Sequence, residues 1–151
     1  MDTLIFILGL IISLGFSILM LYTRKNKWFS KQLKYNVSAF LIILGIVGFS
    51  SSNTNHYRFL FFSTIIPPFY YATDRFFKYL SFKIHKRDFY LYLRWSNDIN
   101  DSWVGTGQNK HIKTTDMVFS FLLLILIAGL SLIGVTFFGK MDLYSVLILN
   151  N

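Results

Sequence analysis

Between Met117 and Phe138 the chain runs for 22 residues without a charged side chain, MVFSFLLLILIAGLSLIGVTFF. At about 1.5 Å per residue, a helix of this length covers roughly 33 Å, the hydrocarbon thickness of a bilayer. A lone segment in lipid has no water for its amides and carbonyls, so it satisfies them within itself as an α-helix. The rest of the chain has to be arranged around that crossing.

A second uncharged block, Leu4 to Tyr22, has 19 residues and is also long enough to cross. Asp2 precedes it and Arg24, Lys25 and Lys27 follow it, the reverse of a cleaved signal peptide, so it reads as a retained anchor. Two shorter blocks, about 35–52 and 56–73, flank the polar turn SSSNTN. A re-entrant hairpin would sink Asn53, Asn55, His56 and Arg58 into lipid, at a cost of several kcal/mol for the arginine. Two short spans avoid that cost. Pro67 and Pro68 remove two backbone donors near the end of the third block and are expected to end it there.

The expected fold is therefore an all-α integral membrane protein in a single domain of about four transmembrane helices, 4–22, 35–52, 56–73 and 117–138. An inner-side segment, 74–116, joins the third to the fourth. Beyond Phe138 the apolar tail Leu143–Leu149 is too short to cross and is expected at the interface or against a partner.

The chain carries 15 Lys and Arg against seven acids, every acid being Asp. Thr23–Asn36 and Asp74–Asp116 together hold 13 of the 15 basic residues, leaving only Arg58 and Lys140 elsewhere. By the positive-inside rule both segments lie on the inner side, and both termini on the non-cytoplasmic or intermembrane side. Arg24, Lys25 and Lys27, with Arg75 and Lys78, are the candidate contacts to anionic lipid headgroups. Gly9, Ser13 and Ser17 recur every four residues along the first block, a small-residue stripe where another helix could approach closely.

Within the inner segment, residues 75–86 fit an amphipathic helix lying on the membrane. Phe76, Phe77, Leu80 and Ile84 fall on one arc, and Arg75, Lys78, Ser81, His85 and Lys86 on the other. Basic, aromatic-rich sequence also suits nucleic acid, but the one-sided aromatics and the preceding span favour lipid. Tyr90, Tyr92, Trp95 and Trp103 are candidates for docking a partner. Gly105 and Gly107 fall short of a nucleotide fingerprint, which needs a third glycine between strand and helix. Asp98 and Asp101, with His85, Asp88 and His111, have no catalytic or metal-loop spacing and read as turn and cap residues; Asp116 reads as the cap of the last helix.

No acid or lysine lies within the apolar heart of a span, and Arg58 sits at a span end, so ion-coupled transport has no intramembrane relay to use. With no cysteine there is no thiolate chemistry, and no cofactor or metal is implied. Glu is absent and Ala occurs three times against 17 Phe. That bias points to an AT-rich genome, and the composition is similar to that of mitochondrially encoded membrane proteins of protists. It is a similarity that carries over no residue. The function expected is a non-catalytic accessory subunit of a larger membrane complex of the respiratory chain or the ATP synthase, in the mitochondrial inner membrane, with lipids and other subunits as partners. Two further readings are a stand-alone bacterial inner-membrane protein such as a toxin-immunity protein, and a small lipid-modifying enzyme using His85, Asp98, Asp101 or His111.

Overall fold

The computed structural model describes residues 2–25, 30–93 and 111–149, with 2, 3 and 139–149 described by backbone alone. The helices are α1 (Asp2–Leu10), a π-helical turn (Ile11–Gly15), α2 (Phe16–Tyr22), α3 (Lys31–Ser51), α4 (Asn55–His85) and α5 (Thr114–Leu149). No strand occurs among the described residues. Among the described residues, three helical stretches are long and apolar enough to cross a membrane: Leu4–Tyr22, Lys31–Ser51 and Thr114–Phe138. The third expected span, 56–73, is helical within α4 but is not among these three. The chain divides into two compact units, Met1–Tyr71 with Ile127–Asn151, and Ala72–Leu126.

In the first unit, helix α4 is the one the other helices close around. Phe59, Ile66 and Tyr70 are almost wholly buried, as are Ser63 and Thr64. Close approach is made possible by glycine. A Cβ on Gly9 would meet the Phe59 ring and lie 3.0 Å from Ser63 Oγ. One on Gly45 would lie 2.6–3.0 Å from Ile65, Thr64 and the Phe61 carbonyl, and one on Gly48 would run into the Phe61 ring. These pairings, 48 with 61 and 45 with 64, make α3 and α4 antiparallel neighbours, and Thr64 Oγ1 donates to the Leu41 carbonyl at 3.1 Å. On the α5 side, Gly134 faces the Phe62 and Phe59 rings, and Phe138 packs among Phe49, Phe59 and Phe62 at centroid distances of 5.8–6.2 Å.

Large aliphatic side chains face outward from this unit, and hydroxyl side chains are buried within it. Ile43, Val47, Leu132 and Ile133 are about 60% exposed, whereas Ser13, Ser17, Ser63 and Ser131 are buried. Water would reverse that distribution; lipid favours it, because small and hydroxylated residues let helices pack while large aliphatic ones face hydrocarbon.

Pro67 and Pro68 do not end the third helix. Both lie inside α4, which continues to His85. Tertiary contact overrides the local penalty: Pro67 is fully buried, and a helix held among neighbours tolerates the missing donors. The segment 75–86 is correspondingly not a separate interfacial helix: 75–85 is the last part of α4, and Lys86 follows its end. The tail 143–149 is likewise a continuation, with the backbone of α5 helical to Leu149.

Basic side chains close two helix ends. Lys34, the fourth residue of α3, is 7% exposed and donates from Nζ to the carbonyls of Thr23 (2.7 Å) and Arg24 (3.1 Å) beyond the end of α2. Arg58, the fourth residue of α4, donates from Nε to the Ser52 carbonyl at 3.1 Å, just past α3. Cations near helix C-termini satisfy orphan carbonyls and oppose the negative end of the helix dipole. Ser30 caps the start of α3 by accepting from the Leu33 amide.

Candidate functional site

The second unit is built on a chain reversal. Helix α4 ends at His85, and Lys86 adopts a left-handed conformation at φ 56°, the position after a helix end that glycine usually takes. Ser81 Oγ donates to the Arg87 carbonyl at 2.9 Å, tying the reversal back to the last turns of α4. Residues 88–92 then lie without helix or strand against the start of α5. Phe89 is fully buried, edge-on to Phe119, whose other neighbour is the stacked ring of Phe77 at 4.9 Å.

Asp116 is the centre of this unit and is wholly buried. Its Oδ2 accepts from Arg87 Nη2 and from the Lys113 amide, both at 2.8 Å, and its Oδ1 from Arg87 Nη1 at 3.3 Å and the Tyr90 amide at 3.2 Å. As the third residue of α5 reaching back to Lys113, it supplies the acidic half of a capping box. One turn on, Ser120 Oγ accepts from the Tyr92 amide at 2.9 Å and donates to the Asp116 carbonyl at 2.7 Å. Asp116 and Ser120 thus hold alternate amides of the extended segment. The same guanidinium lies over the Tyr90 ring at 4.4 Å and donates to the carbonyls of Asp88 and His111.

A second cluster sits beside it. His85 Nε2 lies 2.7 Å from Thr115 Oγ1, and His85 Nδ1 lies 3.3 Å from Lys113 Nζ. Lys78 pairs with Asp88 at 2.9 Å.

Of the headgroup candidates, Lys25 is exposed and Arg24 and Arg75 are half-buried, while Lys78 is engaged by Asp88. Lys27 lies outside the described residues. Gly9, Ser13 and Ser17 are all buried. Ser13 Oγ accepts from Ser131 Oγ at 3.1 Å, while Ser17 Oγ has no hydrogen-bond partner among the described residues. Of the docking candidates, Tyr90 and Tyr92 are half-buried on the extended segment, and Trp95 and Trp103 lie outside the described residues, as do Asp98, Asp101, Gly105 and Gly107. His111 stands edge-on to Tyr90 at 4.9 Å.

The amphipathic arcs of 75–86 are partly exchanged. Ser81 is buried and Phe77 packs inward, but Phe76, Tyr79, Phe82 and Ile84 point outward. The helix turns its hydrogen-bonding side toward the extended segment, where Ser81 has a partner. Sequence reasoning also passed over Arg87, Lys113 and Thr115; the only sign of their roles was the density of basic residues around Asp116.

Among the described residues no group of three or more His, Asp or Glu is placed to hold a metal ion. A recess of about 130 Å³ in the first unit is lined by Phe62, Ile65, Ile66, Phe69 and Leu130. It offers no polar group to orient a substrate. No family model, curated protein or solved structure matches the chain.

Proposed function

We propose that this chain is a non-catalytic accessory subunit of a larger membrane protein complex. The observation that carries the reading is how the second unit uses its ionisable groups. Arg87 and Asp116, Lys78 and Asp88, and His85 with Thr115 are engaged with one another as fasteners of the chain reversal. A pair such as Arg87–Asp116, whose acid is wholly buried, fixes a conformation; a general acid or base must instead meet a substrate. Beside exposed lysines, the outward-facing side chains of this unit include Phe76, Tyr79, Phe82 and Ile84, the material of contacts with lipid and neighbouring subunits.

In this reading α4 also crosses, third in chain order, which makes four crossings. Its lower hydropathy reflects its place: residues 59–65 meet glycines of α1, α3 and α5, and Ser63, Thr64 and Tyr70 are buried rather than facing hydrocarbon. Both termini then lie on the intermembrane side, and residues 23–36 and 74–116 on the inner side. The Glu-free, Ala-poor composition supports an organelle-encoded subunit of the respiratory chain or ATP synthase. The test is identification of the chains that co-purify after gentle solubilisation from the native membrane. Defined subunits of one complex, in fixed ratio, are expected. Recovery of the chain alone from every mild detergent would sink the proposal.

A further inference from the structure

We infer that Lys113, Thr115 and His85, together with the adjacent Lys86, form a site for the phosphate of an anionic phospholipid headgroup. The inference rests on the membrane reading above but not on membership of a complex. It begins from a surplus of donors. With the Lys113 ammonium donating to His85 Nδ1, the other ring nitrogen carries the proton and donates to Thr115 Oγ1. The Thr115 hydroxyl proton has no acceptor among the described residues. Lys113 Nζ keeps two donors with no acceptor among the described residues. Both acids of the neighbourhood are engaged elsewhere, Asp88 with Lys78 and Asp116 with Arg87. Lys83, Lys86 and Lys113 are exposed and have no acidic partner among the described residues. Concentrated donors and uncompensated positive charge are what a phosphate group satisfies.

The same stretch of helix identifies the source of the phosphate. Phe76, Tyr79, Phe82 and Ile84 are 45–64% exposed. A soluble phosphate needs no apolar shelf. A phospholipid presents its phosphate next to hydrocarbon, and aromatic and basic side chains together mark that boundary. Lys78, expected from sequence as a headgroup contact, is replaced in this role by Lys86 and Lys113.

The experiment uses the full chain in nanodiscs of phosphatidylcholine with a minor fraction of phosphatidylglycerol, followed by native mass spectrometry of retained lipid. The wild-type chain is expected to enrich phosphatidylglycerol. The Lys86→Gln, Lys113→Gln double variant should lower that enrichment about tenfold or more, whereas Lys31→Gln should leave it unchanged. Helical content and the thermal transition establish that each variant is folded. If the double variant does not fold, Thr115→Ala, which removes a donor without altering charge, is read in its place and should show a smaller loss. Equal retention of the two lipids by the wild-type chain would overturn the inference, as would full enrichment in the double variant or, where that is unfolded, in Thr115→Ala. Displacement of the lipid by inorganic phosphate alone would reassign the site to a soluble anion and overturn it too. Each of these outcomes can be told apart from failure of the subunit reading, which is judged on co-purifying chains.

Discussion

Arg87 and Asp116, 29 positions apart in sequence, meet as a two-pronged ion pair in which the guanidinium spans both carboxylate oxygens at 2.8 and 3.3 Å. The acid is fully buried and the arginine about one-quarter exposed. Two backbone amides complete the carboxylate, so all its principal acceptor directions are used. Removing Asp116 deprives the guanidinium and two backbone amides of their acceptor at once. Asp116→Ala should therefore destabilise the chain by about 3 kcal/mol. Arg87→Lys should also cost stability, because a lysine cannot reproduce the planar fork. Denaturant titration in detergent measures both; an Asp116→Ala chain as stable as wild type would contradict the arrangement.

Glycine substitutions should separate contact from mere helix content. Gly45→Ala places a methyl against Ile65, Thr64 and the Phe61 carbonyl and should cost about 1–3 kcal/mol. Gly129 has nothing within 4 Å of its missing Cβ, so Gly129→Ala should be neutral or stabilise by up to about 1 kcal/mol. The same unfolding measurement, run on the two variants together, checks the difference in sign.

The Ser13–Ser131 hydrogen bond joins residues 118 positions apart within the first unit. Interhelical bonds of this type in membranes are worth about 0.6 kcal/mol on average. A double-mutant cycle with Ser13→Ala and Ser131→Ala should give a coupling of that order. A coupling of zero within error would mean that the two hydroxyls do not interact.

Lys34→Met removes the cation that caps the carbonyls of Thr23 and Arg24. Hydrogen bonds from charged donors contribute about 1.5–3 kcal/mol, so a loss in that range is expected. Lys31→Met, at an exposed position on the same helix, should cost little. Parallel thermal melts of the two variants test this.

What could be read from the sequence followed from solvent preference; what could not followed from tertiary contact. The uncharged runs 4–22 and 117–138 mark helices because lipid leaves the backbone no other choice. Asp116 was recognisable as a cap because it lies just before an apolar run. Nothing local shows that it also binds Arg87 and Tyr90, since that depends on the reversal at Lys86. Pro67 and Pro68 misled because helix-breaking is a local rule and burial among three neighbours is not local. The turn at 11–15 was equally invisible. Four-residue spacing drifts by about 40° per step on an α-helix, so Gly9, Ser13 and Ser17 should wander off one face; the wider π turn between Gly9 and Ser17 offsets the drift, and all three are buried. Lys34 and Arg58 looked like surface charge, and only the neighbouring helix end shows them to be caps.

The central claim, that this chain works as a subunit among others in a membrane, is tested most directly by its native mass after extraction in the mildest detergent that dissolves the membrane. The account predicts a discrete assembly many times the mass of the single chain, from which the chain is released only by harsher detergent. A chain that migrates as a free monomer under the mildest conditions, with no other protein in constant ratio to it, would contradict the account.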